Sequence, residues 1–406
     1  MNVRQKTLAV LLVLGIGMSG CNTNDNNLTP QIVNKKTDEN KIEGNRTVPT
    51  SPGENNESNG TVPNPPDEVI IPVPPKQMLK GGESVLEDIG DQHNNRESDI
   101  TCEALGRIIP RLEHINKSYQ DIYQRYIASK DTTFSLPATV AEVQSMIDEV
   151  NSFNLPANAI LDRKFYKKTN EEFEHRFVYL PVKNTTTGKT WLNNNLGAEY
   201  ANINNPRNKY NPSQQAKTSN DYLAYGSLFQ WGRAADGHEL ITWFENKRGR
   251  PKYALTERRA DHPRISAFIT VSSYPNDWRE NTRDDLWPLD SFWESESSQN
   301  NVCPVGYRLP LNPNHANDNA NEFYQEIQTW TQENGIGALN GVLKLSLAGN
   351  RQGTTGWLDQ SSTYGFYWTG SRYDFYALDM FLTPANVFPN YHDDRANGFS
   401  VRCIKD

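Results

Sequence analysis

Four aromatic residues, Tyr274, Trp278, Trp287 and Trp293, stand among Asn276, Asp277, Arg279, Asp284 and Asp285. Flat rings beside carboxylates and amides suit sugar recognition, because the rings stack on the apolar face of a pyranose while the polar groups bond its hydroxyls. The same stretch has a second reading, as an insertion that buries its own aromatics against a domain. Further along, Asn314, Asn317, Asp318, Asn319, Asn321 and Glu322 offer oxygen ligands of the kind Ca²⁺ takes, as do Asp393 and Asp394. Neither segment has the ligand spacing of a known calcium loop. A solvated turn therefore stands beside a weak calcium site, and no other cofactor is implied.

Catalytic chemistry finds less support. The chain carries no Gly-rich phosphate loop, His-Glu-x-x-His, Gly-x-Ser-x-Gly or Cys-x-x-Cys, and its seven histidines are scattered. With 49 acidic and 41 basic residues and no dense Lys/Arg run, nucleic acid is not an expected partner. At 406 residues there is room for two or three domains.

The elements that would position such groups begin after a long leader. Arg4 and Lys6 precede an apolar run from Leu8 to Ile16, too short to cross a bilayer permanently, followed by Met18-Ser19-Gly20-Cys21. This resembles a lipoprotein signal over residues 1–20, with Cys21 as the lipidated mature N-terminus. Lipidation with two or more acyl chains implies stable membrane anchoring, and Asn22 after the cysteine points by resemblance to the outer membrane. Residues 21–95 are rich in Asn, Thr, Pro, Glu and Gly and form a disordered tether in this reading. Its root-mean-square span would be roughly 50 Å.

From 96 to 155 the pattern is helical. Leu105, Ile108, Leu112, Ile115, Tyr119, Ile122 and Tyr126 recur at spacings of three and four, and Pro110 is expected to open the main helix. Thr139 and Glu142 form a capping box ahead of Val140, Val143, Ile147 and Val150, so two antiparallel helices joined through Asp131–Pro137 are expected. They would serve as a spacer or as a small surface-binding module.

Residues 160–406 hold six blocks in order: Lys189–Leu196, Tyr225–Ala235, Cys303–Pro310, Leu345–Arg351, Gly365–Ser371 and Gly398–Cys403. Gly188 sits in a turn between two extended runs, which reads as a hairpin. Gly226 suits a helix start, and Trp191, Trp231, Trp357 and Trp368 are expected to build a core, with Arg351 and Arg402 tying loops. The ordered blocks resemble the Fibrobacter succinogenes major paralogous domain, a family related to the C-type-lectin-like fold of formylglycine-generating enzymes. The likeness spans about Arg176 to Asp406. The stretch from His238 to Asn301 is longer than expected, and Asn312–Asn321 replaces a shorter acidic turn.

The resemblance implies an α+β fold of the C-type-lectin-like class, with short strands, much irregular structure and a Cys303–Cys403 disulfide. Cys102 is then left as a buried free thiol or a bond to another chain. The formylglycine-generating activity is not carried over, since the C-terminal cysteines lie a hundred residues apart. The expected protein is a cell-envelope lipoprotein presenting a noncatalytic domain for glycan or protein binding in adhesion or envelope interaction. An enzyme with an unrecognised site and a structural envelope lipoprotein are the alternatives.

Overall fold

The structure, a computed structural model, describes residues 81–92, 98–128, 134–162, 176–282 apart from 206, 208, 262 and 264, Trp293, 300–313 and 318–406. Cys21, the leader and most of the expected tether lie outside the described residues. Among the described residues the fold is α+β, with four α-helices gathered first and small sheets, mostly antiparallel, after them, two short α-helices lying among the later strands. No described helix is long and apolar enough to cross a membrane.

The helical part contains α1 (Gly82–Gln92), α2 (Cys102–Leu105), α3 (Gln120–Ala128) and α4 (Val140–Ser152). The capping box forms as expected: Thr139 Oγ1 accepts from the Glu142 N–H while the Glu142 carboxylate accepts from the Thr139 N–H. The tyrosines preceding and lining α3 bond across to α4 in reverse order. Tyr119 Oη donates to the Leu155 carbonyl (2.8 Å), Tyr123 Oη to Asn151 Oδ1 (3.2 Å) and Tyr126 Oη to Glu149 Oε2 (2.5 Å), which sets the pair antiparallel.

Two expectations are corrected here. Pro110 opens no helix. The chain from Gly106 to Asn116 is irregular, and the next helical turn starts only where Asn116 Oδ1 caps the Ser118 N–H. Leu105, Ile108, Leu112, Tyr119, Ile122 and Tyr126 are nevertheless all buried in one cluster, so the apolar spacing marked burial rather than one continuous helix. The tether also ends earlier than residue 95, because α1 puts Val85 and Ile89 into that same cluster.

A two-stranded sheet then links two cores by its alternation. Ile160–Asp162 pairs antiparallel with Phe177–Tyr179; Leu161 and Val178 face the helical cluster, whereas Ile160, Phe177 and Tyr179 face the next one. Arg125 reinforces the join, donating to the Val305 carbonyl and lying over the Tyr307 ring. Both parts belong to one compact unit.

The C-terminal part is built around its own tail. Ile404–Lys405 inserts between Thr190–Leu192 and Tyr307–Arg308 in a four-stranded sheet, and Cys403 is bonded to Cys303 with a Cα separation of 5.9 Å. The expected hairpin forms, Pro181–Lys183 against Thr190–Leu192, with Gly188 in the left-handed conformation its turn requires. Gly226 starts no helix. A strand, Phe229–Gln230, follows it, and a Cβ at 226 would sit 2.3 Å from the Leu196 carbonyl oxygen. Leu358–Asp359, Asn350–Arg351, Gly398–Phe399 and Phe229–Gln230 make a second four-stranded sheet. A three-stranded meander (Gly365–Tyr373, Tyr376–Leu382, Val387–Asp394) contains the longest strands among the described residues.

Trp191, Trp231 and Trp368 are buried as expected, and each indole N–H finds an acceptor, in Glu326 Oε1, the Thr369 carbonyl and the Phe229 carbonyl respectively. Trp357 is the exception at 73% exposure; Trp243, bonded to the Gly226 carbonyl, fills a core position instead. Replacing Cys303 and Cys403 together with Ser is expected to lower the unfolding free energy by about 4–5 kcal/mol, the chain-entropy value for a loop near a hundred residues. A urea midpoint shift at constant slope would measure it, and a loss under about 1 kcal/mol would mean that other contacts hold the tail unaided.

Candidate functional site

The aromatics of the expected sugar site part company. Trp278 is buried beside Ile269, Val271 and Ala396, and its Nε1–H donates to the Trp231 carbonyl at 2.7 Å. Trp293 is buried against Phe229 and Trp231, with its Nε1–H on the Asn300 carbonyl at 2.8 Å. Neither ring has a face left for a ligand, which corrects that part of the expectation: these side chains close the core where regular structure is sparse. Asp277 and Arg279 are buried too and bond each other, with Arg395 within 3.5 Å of Asp277. Trp287, Asp284 and Asp285 lie outside the described residues.

Tyr274 is different. It is 66% exposed and packs edge-on against Phe375 (ring centroids 5.9 Å), which is itself 42% exposed at the turn joining the first two meander strands. Tyr373, 39% exposed, and Tyr376 each lie about 5 Å from the exposed His392 ring, at 5.0 and 5.1 Å between centroids. Asn276 Nδ2 donates to Asp394 Oδ2 (2.8 Å), fixing the Tyr274 loop to the third strand. One end of the meander thus presents a solvent-facing aromatic surface, Tyr274, Tyr373, Phe375, Tyr376 and His392, edged by Asp394. Only Tyr274 among these aromatics was expected from the sequence. The other four sit in Ser371–Asp394, where alternation along Arg372–Tyr376 is blurred by the turn.

The opposite face of the meander carries an acid pair. Trp368, Asp379 and Tyr391 fall in one cross-strand row and Asp393 pairs with the neighbouring Ala377, so Asp379 and Asp393 are diagonal neighbours. Asp379 is fully buried and neither carboxylate oxygen has a hydrogen-bond partner. Burial, reinforced by the Asp393 charge, holds its carboxyl protonated well above the ordinary range. Burial and then Asp394 lift Asp393 to about 7, although Asn397 Nδ2 donates to it.

The calcium expectation fares unevenly. Asn314 and Asn317 and the side chain of Asp318 lie outside the described residues. Asn321 Oδ1 accepts from the Phe323 and Tyr324 N–H groups as the cap of α5 (Glu322–Ile327). Glu322 is held by Arg308 (2.6 Å) and Lys189 (2.7 Å), which outweigh burial and keep its carboxyl below the usual value. These two residues serve as internal ties. Asp393 and Asp394 sit at successive strand positions and so project to opposite faces, which does not suit a shared cation.

A buried trio was not anticipated. Asp236, His238 and Glu239 form the one His/Cys/Asp/Glu group among the described residues close enough to hold a metal. Several of its ligand atoms are already engaged, Glu239 Oε2 by the Gly237 N–H. The Gln230 N–H donates to His238 Nε2 (3.0 Å), so Nδ1 carries the proton and faces Asp236 Oδ1 (2.8 Å). Arg233 takes Asp236 Oδ2 through Nε and Nη2. The arrangement clamps a loop; the Asp-x-His-Glu spacing was its only trace in the sequence. Cys102 is free and buried, and burial raises its thiol, leaving a poor nucleophile.

With this geometry in hand, comparison finds no match to the chain among family models, curated proteins or solved structures.

A carboxyl that keeps its proton in the folded state binds more protons folded than unfolded. Its contribution to stability is therefore present at low pH and is lost as pH rises from the unfolded value of about 4 through the folded one. The wild type should lose stability as pH climbs toward and past about 7, the value to which Asp393 is lifted. Asp379→Asn, which cannot ionise, should flatten much of that slope. Thermal midpoints at pH 5 and pH 8 test it; an undiminished difference in the variant would remove Asp379 from the effect.

Proposed function

We propose that the chain is a cell-envelope lipoprotein, held by a lipid on Cys21, whose C-terminal part is a noncatalytic C-type-lectin-like recognition domain for surface glycan. The observation that carries the reading is the exposed aromatic end of the meander. Exposed tyrosine and phenylalanine rings grouped around a carboxylate offer stacking faces and hydroxyl acceptors together, and they stand on a rigid sheet rather than a free loop. Five of the exposed large aromatic side chains, Tyr274, Tyr373, Phe375, Phe388 and Tyr391, belong to this sheet or pack on it. A tail strand stapled to the middle of a domain of short strands supports the C-type-lectin-like assignment.

Asp379, the most perturbed carboxyl of the meander, does not favour an enzyme. It is fully buried and neither of its oxygens is hydrogen-bonded, so it has no relay through which to pass a proton to a substrate. The surface suits adhesion, in which many weak contacts on an anchored protein add up.

On a glycan array, the full chain is expected to retain at least one glycan class, and Tyr274→Ala with Phe375→Ala to lose at least tenfold of that binding, about 1.4 kcal/mol. Retention by the double variant, or capture of protein rather than glycan by the wild type, would contradict the site. Trp278→Ala should instead act on stability, by about 3–5 kcal/mol, as a buried aromatic does. For the anchor, Cys21→Ser should move the protein from the membrane fraction to the soluble fraction of the expressing bacterium; an unchanged distribution would contradict lipidation at that residue.

A further inference from the structure

Away from the meander surface, an open groove of about 490 Å³ is lined by Pro251, Tyr253, Leu255, Trp357, Leu358 and Arg351. Its walls are part apolar, part polar, and the apolar part is partly bare: Trp357 is the most exposed aromatic of the described residues, and Leu255 is also exposed. A tryptophan kept 73% exposed in a protein that buries Trp191, Trp231, Trp243, Trp278, Trp293 and Trp368 invites a functional account.

Arg351 gives that account its chemistry. The side chain is 1% exposed, donates through Nε to the Gly356 carbonyl (3.1 Å) and through Nη1 to the His238 carbonyl (2.9 Å), and lies 4.0 Å from the centroid of the Phe268 ring. Its Nη2 is buried with no hydrogen-bond partner, and no carboxylate of the described residues comes within ion-pairing distance. Burial, and then the neighbouring Arg233, depress its pKa to about 9, with Glu239 opposing only in part. A buried guanidinium with an unfilled donor is a state that proteins seldom keep without a reason.

We infer that this groove is a second binding site, for a sugar ring bearing a carboxylate, with Arg351 receiving the carboxylate and Trp357 stacking on the ring. A guanidinium matches a carboxylate in shape and charge, and Arg351 is the one cationic side chain in the lining, so a single negative charge balances it. A ring suits the groove better than a peptide backbone. The Gln352 N–H bonds the Trp357 carbonyl, the Gly353 N–H Asn397 Oδ1, the Gly356 N–H the Gln352 carbonyl and the Trp357 N–H Thr355 Oγ1, so four backbone donors of this loop are already used and few remain for a strand-like partner. The site shares no residue with the meander surface and stands independently of that reading.

The test uses the full chain, labelled with ¹⁵N in its indoles, and two probes that differ only at one carbon: methyl glucuronide and methyl glucoside. The glucuronide is expected to shift one indole resonance, that lost in Trp357→Ala, at a concentration at least tenfold lower than the glucoside needs. Leu255→Glu, which brings a negative charge to the mouth without touching Arg351, should weaken the glucuronide several-fold and leave the glucoside unchanged. Tyr274→Ala should change neither. Equal response to both probes, a shift that survives Trp357→Ala, loss on Tyr274→Ala, or tighter binding of an acetylated tripeptide with a free C-terminus would each overturn the assignment.

Discussion

The six residues Ser400–Lys405 carry most of the architecture. Ser400 exchanges backbone hydrogen bonds with the meander, its N–H to the Phe366 carbonyl and its carbonyl from the Trp368 N–H. Val401 and Cys403 accept from the Leu196 and Leu192 N–H groups, and Ile404–Lys405 completes the sheet with Thr190–Leu192 and Tyr307–Arg308. Between them Arg402, fully buried, donates through Nε and Nη2 to Asn195 Oδ1 and through Nη1 to the Leu343 carbonyl. Four distant segments therefore meet on one short strand. The Cys303–Cys403 bond fixes that strand in place, lowering the entropy lost when it docks.

Because regular structure is scarce, side chains take over work that ladders do elsewhere. Trp191, Trp231, Trp243, Trp278, Trp293 and Trp368 each bond a carbonyl or carboxylate, Gln230 links Ile269, Ala396 and Arg233, and Glu326 receives Trp191, Thr187 and Asn184. Satisfying buried polar groups in this manner makes the core specific, since a small shift would strand several donors at once. The meander rests on this base, stacked through Phe366, Trp368 and Phe399, and so can hold exposed aromatics in fixed relation.

Local signals were legible where one residue decides the backbone. Thr139 with Glu142 set a helix start, and Gly188 set a hairpin, because capping and a left-handed turn depend on neighbours in sequence. The Cys303–Cys403 pair was read from resemblance to a family. Long-range choices were not legible. The spacing of Leu105 to Tyr126 marked buried positions but not the break after Leu105, and nothing local distinguishes Trp357, left in solvent, from Trp243, which takes its place in the core. The aromatic insertion lost Trp278 and Trp293 to the interior for the same reason: burial is settled by what packs against a ring, here Ile269, Val271, Phe229 and Trp231. Of the aromatic surface, Tyr274 alone could be named beforehand, since its partners are a hundred residues away.

The proposed recognition surface would depend on the tail: the strand that closes the fold also supports the sheet whose far end meets solvent. Native-state amide hydrogen exchange with and without reductant tests that dependence most directly. The amides of Leu192, Leu196, Trp368 and Ser400 should be protected in the oxidised protein and should lose protection together when Cys303 and Cys403 are reduced. Protection at Trp368 and Ser400 that is untouched by reduction would contradict the claim that one fastened strand holds the domain.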